Sequence, residues 1–207
     1  MHDDDEFASL LKAIREEWNN AEEVIKEAEI VDGEVVIPAI YELRYAGRRI
    51  VDAYEAWSRP DREQSLKYLH DAYFNCFRAR HDAIDAATAK IAEDIDMLRR
   101  DIGPGAVLSY YPDYAALAMD LYETRSKIAS TRRERNDRDK VYKTIAEVDL
   151  PSLRKRHTEL MWHQETLIRL QVRRRLVGAG AIGAAVLIIL GHLSSVFGVW
   201  DFLASHF

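Results

Sequence analysis

At 207 residues the chain is long enough for one domain of ordinary size with a real core, and ten Tyr, six Phe and four Trp supply bulk for it. A single cysteine, Cys76, excludes an intramolecular disulfide framework and a Cys-based zinc cluster, and agrees with a reducing compartment. The net charge of −6 hides an asymmetry: residues 1–35 carry twelve acids against three bases, whereas residues 36–175 carry 22 acids and 26 bases. That split fits an acidic helix lying on a basic partner, within or between subunits.

In chain order, Phe7, Leu10, Leu11, Ile14, Trp18, Ala21, Ile25 and Ala28 recur at spacings of three and four. They predict an amphipathic helix over residues 4–30 that stops at Asp32-Gly33. A second helix is expected from Pro38 to Trp57, with Ile40, Leu43, Gly47, Ile50, Val51, Tyr54 and Trp57 inward. Ser58 to Asp61 breaks the pattern. It resumes from Asp61 to Ile102 without Gly or Pro, a rod of about 60 Å at 1.5 Å per residue. Gly103-Pro104-Gly105 reads as a loop and Tyr110 to Asp113 as a restart. From Asp113 the apolar spacing runs through Leu117, Leu121 and Ile128, vanishes over Thr131 to Lys140, and returns at Val141, Ile145 and Val148. A continuous helix with an exposed middle is expected there, in preference to two antiparallel helices with a tip between them. The last element is expected to start at Pro151-Ser152. Leu153, Leu160 and Leu167 repeat at seven, with His163 and Leu170 near the partner positions, a short coiled-coil seam suited to self-association. No strand pattern survives, so the fold class is all-α, a bundle of about five helices.

Leu176 to Trp200 contains no Asp, Glu, Lys or Arg, and at about 37 Å it is long enough to cross a bilayer core of roughly 30 Å. Arg173, Arg174 and Arg175 sit at its N-terminal end, while Asp201 is the formal charge beyond it. The positive-inside rule then orients the chain. Residues 1–151 form a cytoplasmic bundle, 152–175 a basic juxtamembrane helix, 176–200 a single span of the inner membrane, and 201–207 a short tail on the far side. Within the span, Gly180, Ala184, Leu187, Gly191, Ser195 and Gly198 lie on one stripe. Such small residues let neighbouring helices approach closely, although glycine is also common in membrane helices generally. His192 is the one titratable side chain in the span; it either lines a gate or pore or sits near the far interface.

Candidate chemistry is sparse. Gly178 to Gly183 matches GxGxxG, but arginines and an apolar helix surround it where a dinucleotide site needs a strand. There is no P-loop, no HExxH and no nucleophile elbow, so no catalytic residue, metal or cofactor is assigned. His70 and His81 are eleven residues apart, about 16 Å along a helix, too far for one ion. The basic residues offer a binding surface instead. Arg44, Arg48 and Arg49, with Arg78, Arg80 and His81, are interleaved with Tyr41, Tyr45, Tyr73 and Phe74, a mixture able to hold phosphates and stack bases. The plainer use of the same arginines is to pair with the acidic first helix.

The outline is an all-α domain bearing IPAIYELRYAGRRIVDAY (residues 37–54) and YFNCFRARHDAIDAA (residues 73–87), followed by a rod entering a glycine-rich span. It resembles small membrane-anchored effectors of bacterial anti-phage defence systems. The resemblance implies a homo-oligomer whose membrane helices form a pore when a nucleotide or oligonucleotide signal, made by a partner enzyme, binds the cytoplasmic part. The alternative is a tail-anchored scaffold that recruits a protein partner to the membrane and conducts nothing.

Overall fold

A computed structural model describes residues 2–59, 61–131 and 137–196. Among them the fold is all-α, with no strand. The elements are α1 (His2–Asp32), α2 (Ile37–Ser58), α3 (Arg62–Ile102), α4 (Pro104–Tyr110), α5 (Tyr114–Thr131), α6 (Arg138–Thr144), a π-helical segment (Ile145–Asp149), α7 (Leu150–Trp162) and α8 (Gln164–Val196).

The 41 residues of α3 form the axis. α1 and α2 lie along it, and the faces they share are built from alanine: Ala21 and Ala28 on α1, Ala39, Ala46 and Ala53 on α2, and Ala72, Ala79, Ala83 and Ala87 on α3 are wholly buried. Small side chains bring the helix axes close, and each buried methyl is felt because the interior is packed to crystal density. Of the expected inward stripe of α2, Leu43 is buried and Gly47, Ile50 and Trp57 are half-buried, but Ile40, Val51 and Tyr54 are exposed at 40%, 62% and 70%, because the alanine row beside them is what fits against α3.

The turns follow local chemistry. Gly33 has φ +75°, a left-handed conformation that favours glycine, and its N–H donates to the Glu29 carbonyl at 2.8 Å to close α1. Asp61 caps α3, its carboxylate accepting from the Gln64 N–H at 3.2 Å, and Ser65 Oγ ties the α2–α3 corner by donating to the Ala53 carbonyl at 2.7 Å. Gly103, at φ +86°, ends α3, and Pro104 opens the short α4, an element the sequence reading passed over.

Beyond α4 the structure departs from expectation in two places. α5 ends at Thr131, and from Arg138 the chain runs back along it: Lys127 Nζ donates to Asp149 at 2.7 Å and Arg156 to Asp120 at 2.5 Å. The two elements are therefore antiparallel neighbours, not one continuous helix. Nor does Pro151 start a new element. The helix already under way widens to a π-turn over Ile145–Asp149 and continues as α7, and the widened turn just before Pro151 accommodates its missing N–H.

Leu153, Leu160 and Leu167 are all buried within the domain, so the sevenfold leucine row seals this bundle's own core and is not offered to a second copy. His163 is exposed at a turn that separates α7 from α8, in place of the single rod expected from Ser152 onward. Past Leu167, every α8 side chain that is described lies exposed.

Candidate functional site

Four of the predicted ligand-binding residues meet in one cleft. Tyr45, Arg48 and Arg49 project from α2 and Arg78 from α3, around a cleft of about 600 Å³ that Phe74 also lines. Helical spacing explains the meeting. Tyr45, Arg48 and Arg49 flank the alanine row that docks α2, as Phe74 and Arg78 flank that of α3, so both sets emerge at one seam. The cleft also holds Glu42, Asp52 and Asp71. Arg48 Nε reaches Asp52 at 3.0 Å, while Arg49 lies 3.5 Å from Asp52 and 3.8 Å from Asp71 and rests over the Tyr68 ring at 5.3 Å. Three arginines thus face three carboxylates. An anion binding here has to displace internal ion pairs, and the cleft suits a ligand carrying both charges or a polar protein surface. Tyr41 and Arg44 stand on the exposed side of α2 outside the cleft lining.

Arg80 and His81 point elsewhere. Their side chains are 3% and 8% exposed and lie between α1, α3 and α6, unable to meet an external ligand. Arg80 Nε is 3.0 Å from the Glu17 carboxylate, an ion pair without hydrogen-bond alignment, while Nη2 donates to Asp139 and the guanidinium packs on Phe77. Burial pushes the Glu17 carboxyl above its usual range, and Arg80 opposes that rise. The His81 ring lies 3.9 Å from the Tyr142 ring; burial, and then the charges of Arg138 and Arg80, hold its pKa down to about 3, so it is neutral. Tyr142 in turn donates to Asp85 at 2.9 Å. This is the pairing of the acidic first helix with a basic partner that the charge split foreshadowed, and it is internal to one chain. Arg154 on α7 repeats it with Glu27 at 2.9 Å.

A second buried polar group joins α3 to α7. His157 Nε2 and Asp94 Oδ2 are 2.9 Å apart with both residues buried, and Lys90 donates to the other Asp94 oxygen at 2.9 Å. The sequence reading missed it, although the signal was present. Asp94 falls on the apolar stripe Ile91, Ile95, Leu98, and His157 falls between Leu153 and Leu160, both core positions that demand a partner. Cys76 is buried at the α3 core and its thiol is pushed up to about 12, chiefly by burial.

At the C-terminal helix, Ala184 and Leu187 of the small-residue stripe lie on the exposed surface of α8. The side-chain surroundings of Gly180, Gly191, His192 and Ser195, like those of Arg174 and Arg175, fall outside the described residues, as does the whole of Gly198; Arg173 is exposed. Among the described residues no helix is long and apolar enough to cross a membrane. The expected span reaches to Trp200, beyond the last described residue, Val196. In the part that is described, Leu176, Val177, Ile182, Val186, Leu187, Ile188, Ile189 and Leu190 are between 48% and 71% exposed. No family model, no curated protein and no solved structure matches the chain.

Proposed function

We propose that this protein is a homo-oligomeric membrane effector of the kind its outline resembles. The helical domain lies on the cytoplasmic side and responds to a nucleotide or oligonucleotide signal, and the C-terminal helices associate in the inner membrane to form a conducting path. The observation that carries the reading is the bare apolar surface of α8. Nine large aliphatic side chains, Val172 and the eight from Leu176 to Leu190, stand at least 48% exposed on a helix that the domain stops covering after Leu167. At roughly 1.5–3 kcal/mol per fully buried aliphatic side chain, covering them is favourable by on the order of 10 kcal/mol. Lipid covers the side facing outward, and neighbouring copies cover the small-residue side. The arginines at 173–175 set the cytoplasmic orientation.

A signal drives the change only by binding the open arrangement more tightly than the closed one. The polar α2–α3 cleft is one receptor surface for it. The test is membrane potential in cells expressing the full chain, the chain stopped at Arg175, and the Gly180→Leu/Gly191→Leu variant, each with and without its genomic neighbours. The effector reading expects depolarisation from the full chain alone, dependent on a neighbour-derived signal and lost in the other two. No depolarisation under any condition overturns it.

One observation favours the rival, a tail-anchored scaffold that conducts nothing. The α2–α3 cleft is already charge-balanced, as a protein-docking surface is, and α2 exposes Tyr41, Tyr45, Val51 and Tyr54 beside it. A scaffold tolerates Leu at positions 180 and 191; an effector does not.

A further inference from the structure

α3 is covered closely by α1 and α2, but α5 meets it at few points, leaving a cleft of about 540 Å³ between the two helices. We propose that this α3–α5 cleft is an anion site that takes a phosphorylated aromatic ligand of about nucleoside-monophosphate size. The volume lies within the roughly 300–1,000 Å³ of small-ligand sites. Ile95 and Leu121 form an apolar floor, and Arg99 from α3 and Arg125 from α5 line the same cleft from opposite helices. Neither guanidinium is held by a carboxylate ion pair among the described residues, whereas Arg48, Arg49, Arg80, Arg154 and Arg156 all are. Asp96 is the one carboxylate in the lining, so the cleft carries net positive charge where the α2–α3 cleft carries none.

The aromatic half of the ligand has partners as well. Tyr122 is 71% exposed at the rim, a free face on which a ring can stack. Tyr114 is only 7% exposed, and burial raises its phenol above the usual range, so it stays a neutral hydroxyl able to donate. Two arginines that approach one phosphate from separate helices give charge-assisted contacts that one helix alone cannot supply.

The placement gives binding a consequence, which rests on the effector reading. Lys127 and Asp120 fasten α5 to Asp149 and Arg156 of the π-turn and α7, and α7 leads into α8. A ligand that draws Arg125 toward Arg99 moves α5 against α3, and through the two ion pairs loads α7 against its buried His157–Asp94 tie to α3, at the base of α8.

The test is calorimetric titration of the full chain in lipid nanodiscs with adenosine 5′-monophosphate, phenyl phosphate, adenosine and inorganic phosphate. The two phosphorylated aromatics should bind at sub-millimolar concentration, and adenosine and phosphate much more weakly. Since a hydrogen bond to a charged group contributes about 1.5–3 kcal/mol, Arg99→Gln and Arg125→Gln should each weaken binding by about 10- to 100-fold. Both side chains are exposed, so circular dichroism of the variants should be unchanged. Lys12→Gln, at an exposed position of α1 outside the lining of both clefts, should bind normally. No heat from either phosphorylated aromatic overturns the proposal, as does binding lost in Arg48→Gln/Arg49→Gln but retained in Arg99→Gln and Arg125→Gln. Binding without any change of membrane conductance leaves the site intact and counts against the gating reading alone.

Discussion

Arg80→Ala tests the physics of the buried cluster. In the parent, the Arg80 guanidinium is the cation beside Glu17, whose side chain is 8% exposed; Asp139, the other carboxylate on Arg80, has a side chain 50% exposed and can turn to water. Truncating Arg80 therefore strands Glu17 specifically. Removing one partner of a buried ion pair costs about 3–5 kcal/mol. At about 2–4 °C per kcal/mol for a chain of this size, Tm falls by roughly 6–20 °C.

The double variant Arg80→Ala/Glu17→Gln keeps the shape of the carboxylate without its charge, so it should recover a large part of the loss. The pH dependence has a definite sign. The folded pKa of Glu17 is already raised above 4.5 by burial, and without Arg80 that rise is unopposed. An acid whose folded pKa exceeds its unfolded value loses stability as pH rises through the window between the two. The Arg80→Ala deficit should then be largest near neutral pH and shrink as pH falls toward 4.5. The assay is thermal unfolding of the full chain in detergent, followed by circular dichroism at several pH values. If the single and double variants melt alike at neutral pH, or the deficit does not vary with pH, the stranded-carboxylate reasoning is refuted.

Other expectations concern single sites. Leu160→Ala removes a fully buried side chain at the α7 seam and should cost about 2–5 kcal/mol in denaturant unfolding; a cost near zero would mean that α7 is not docked. Asp61→Ala deletes the α3 cap and should cost about 1 kcal/mol in the same assay, with Asp61→Asn closer to the parent. His81, with a folded pKa of about 3 against 6.5 for the free group, binds no proton in the fold while the unfolded chain does; stability should be lost as pH falls from 6.5 toward 3. His81→Phe should flatten that slope, measured as Tm against pH. Cys76 should resist a thiol reagent at pH 8 in the folded chain, at a rate far below that in denaturant, because burial both shields it and raises its pKa to about 12.

Where the sequence could be read, a period or a stop residue was the reason. The 3.6-residue spacing placed α1, α2 and α3 to within a few residues, and Gly33, Asp61 and Gly103 marked their ends because each does local work that no distant contact can override. Direction was harder. Alanine rows on α2 carry little hydropathy, so the bulkier Val51 and Tyr54 drew the inward assignment although close packing needed the alanines. The reversal after α5 depends on pairs such as Lys127 with Asp149, which sequence spacing cannot reveal. Proline at 151 looked like a boundary because its tolerance depends on the π-turn before it.

At the candidate site, spacing grouped Arg48, Arg49 and Arg78, yet it could not show Asp52 and Asp71 neutralising Arg48 and Arg49, nor that Arg80 turns inward two positions from an exposed Arg78. Arg99 and Arg125 drew no notice because they are 26 residues apart and only the α3–α5 packing brings them to one cleft.

The proposed function stands or falls first on whether α8 enters the bilayer. The direct measurement is alkaline carbonate extraction of membranes from cells expressing the full chain, beside the chain stopped at Arg175. A membrane-spanning α8 keeps the full chain in the pellet and releases the truncated one to the supernatant. Release of the full chain would contradict the membrane reading, and the bare aliphatic face of α8 would then have to be covered by protein.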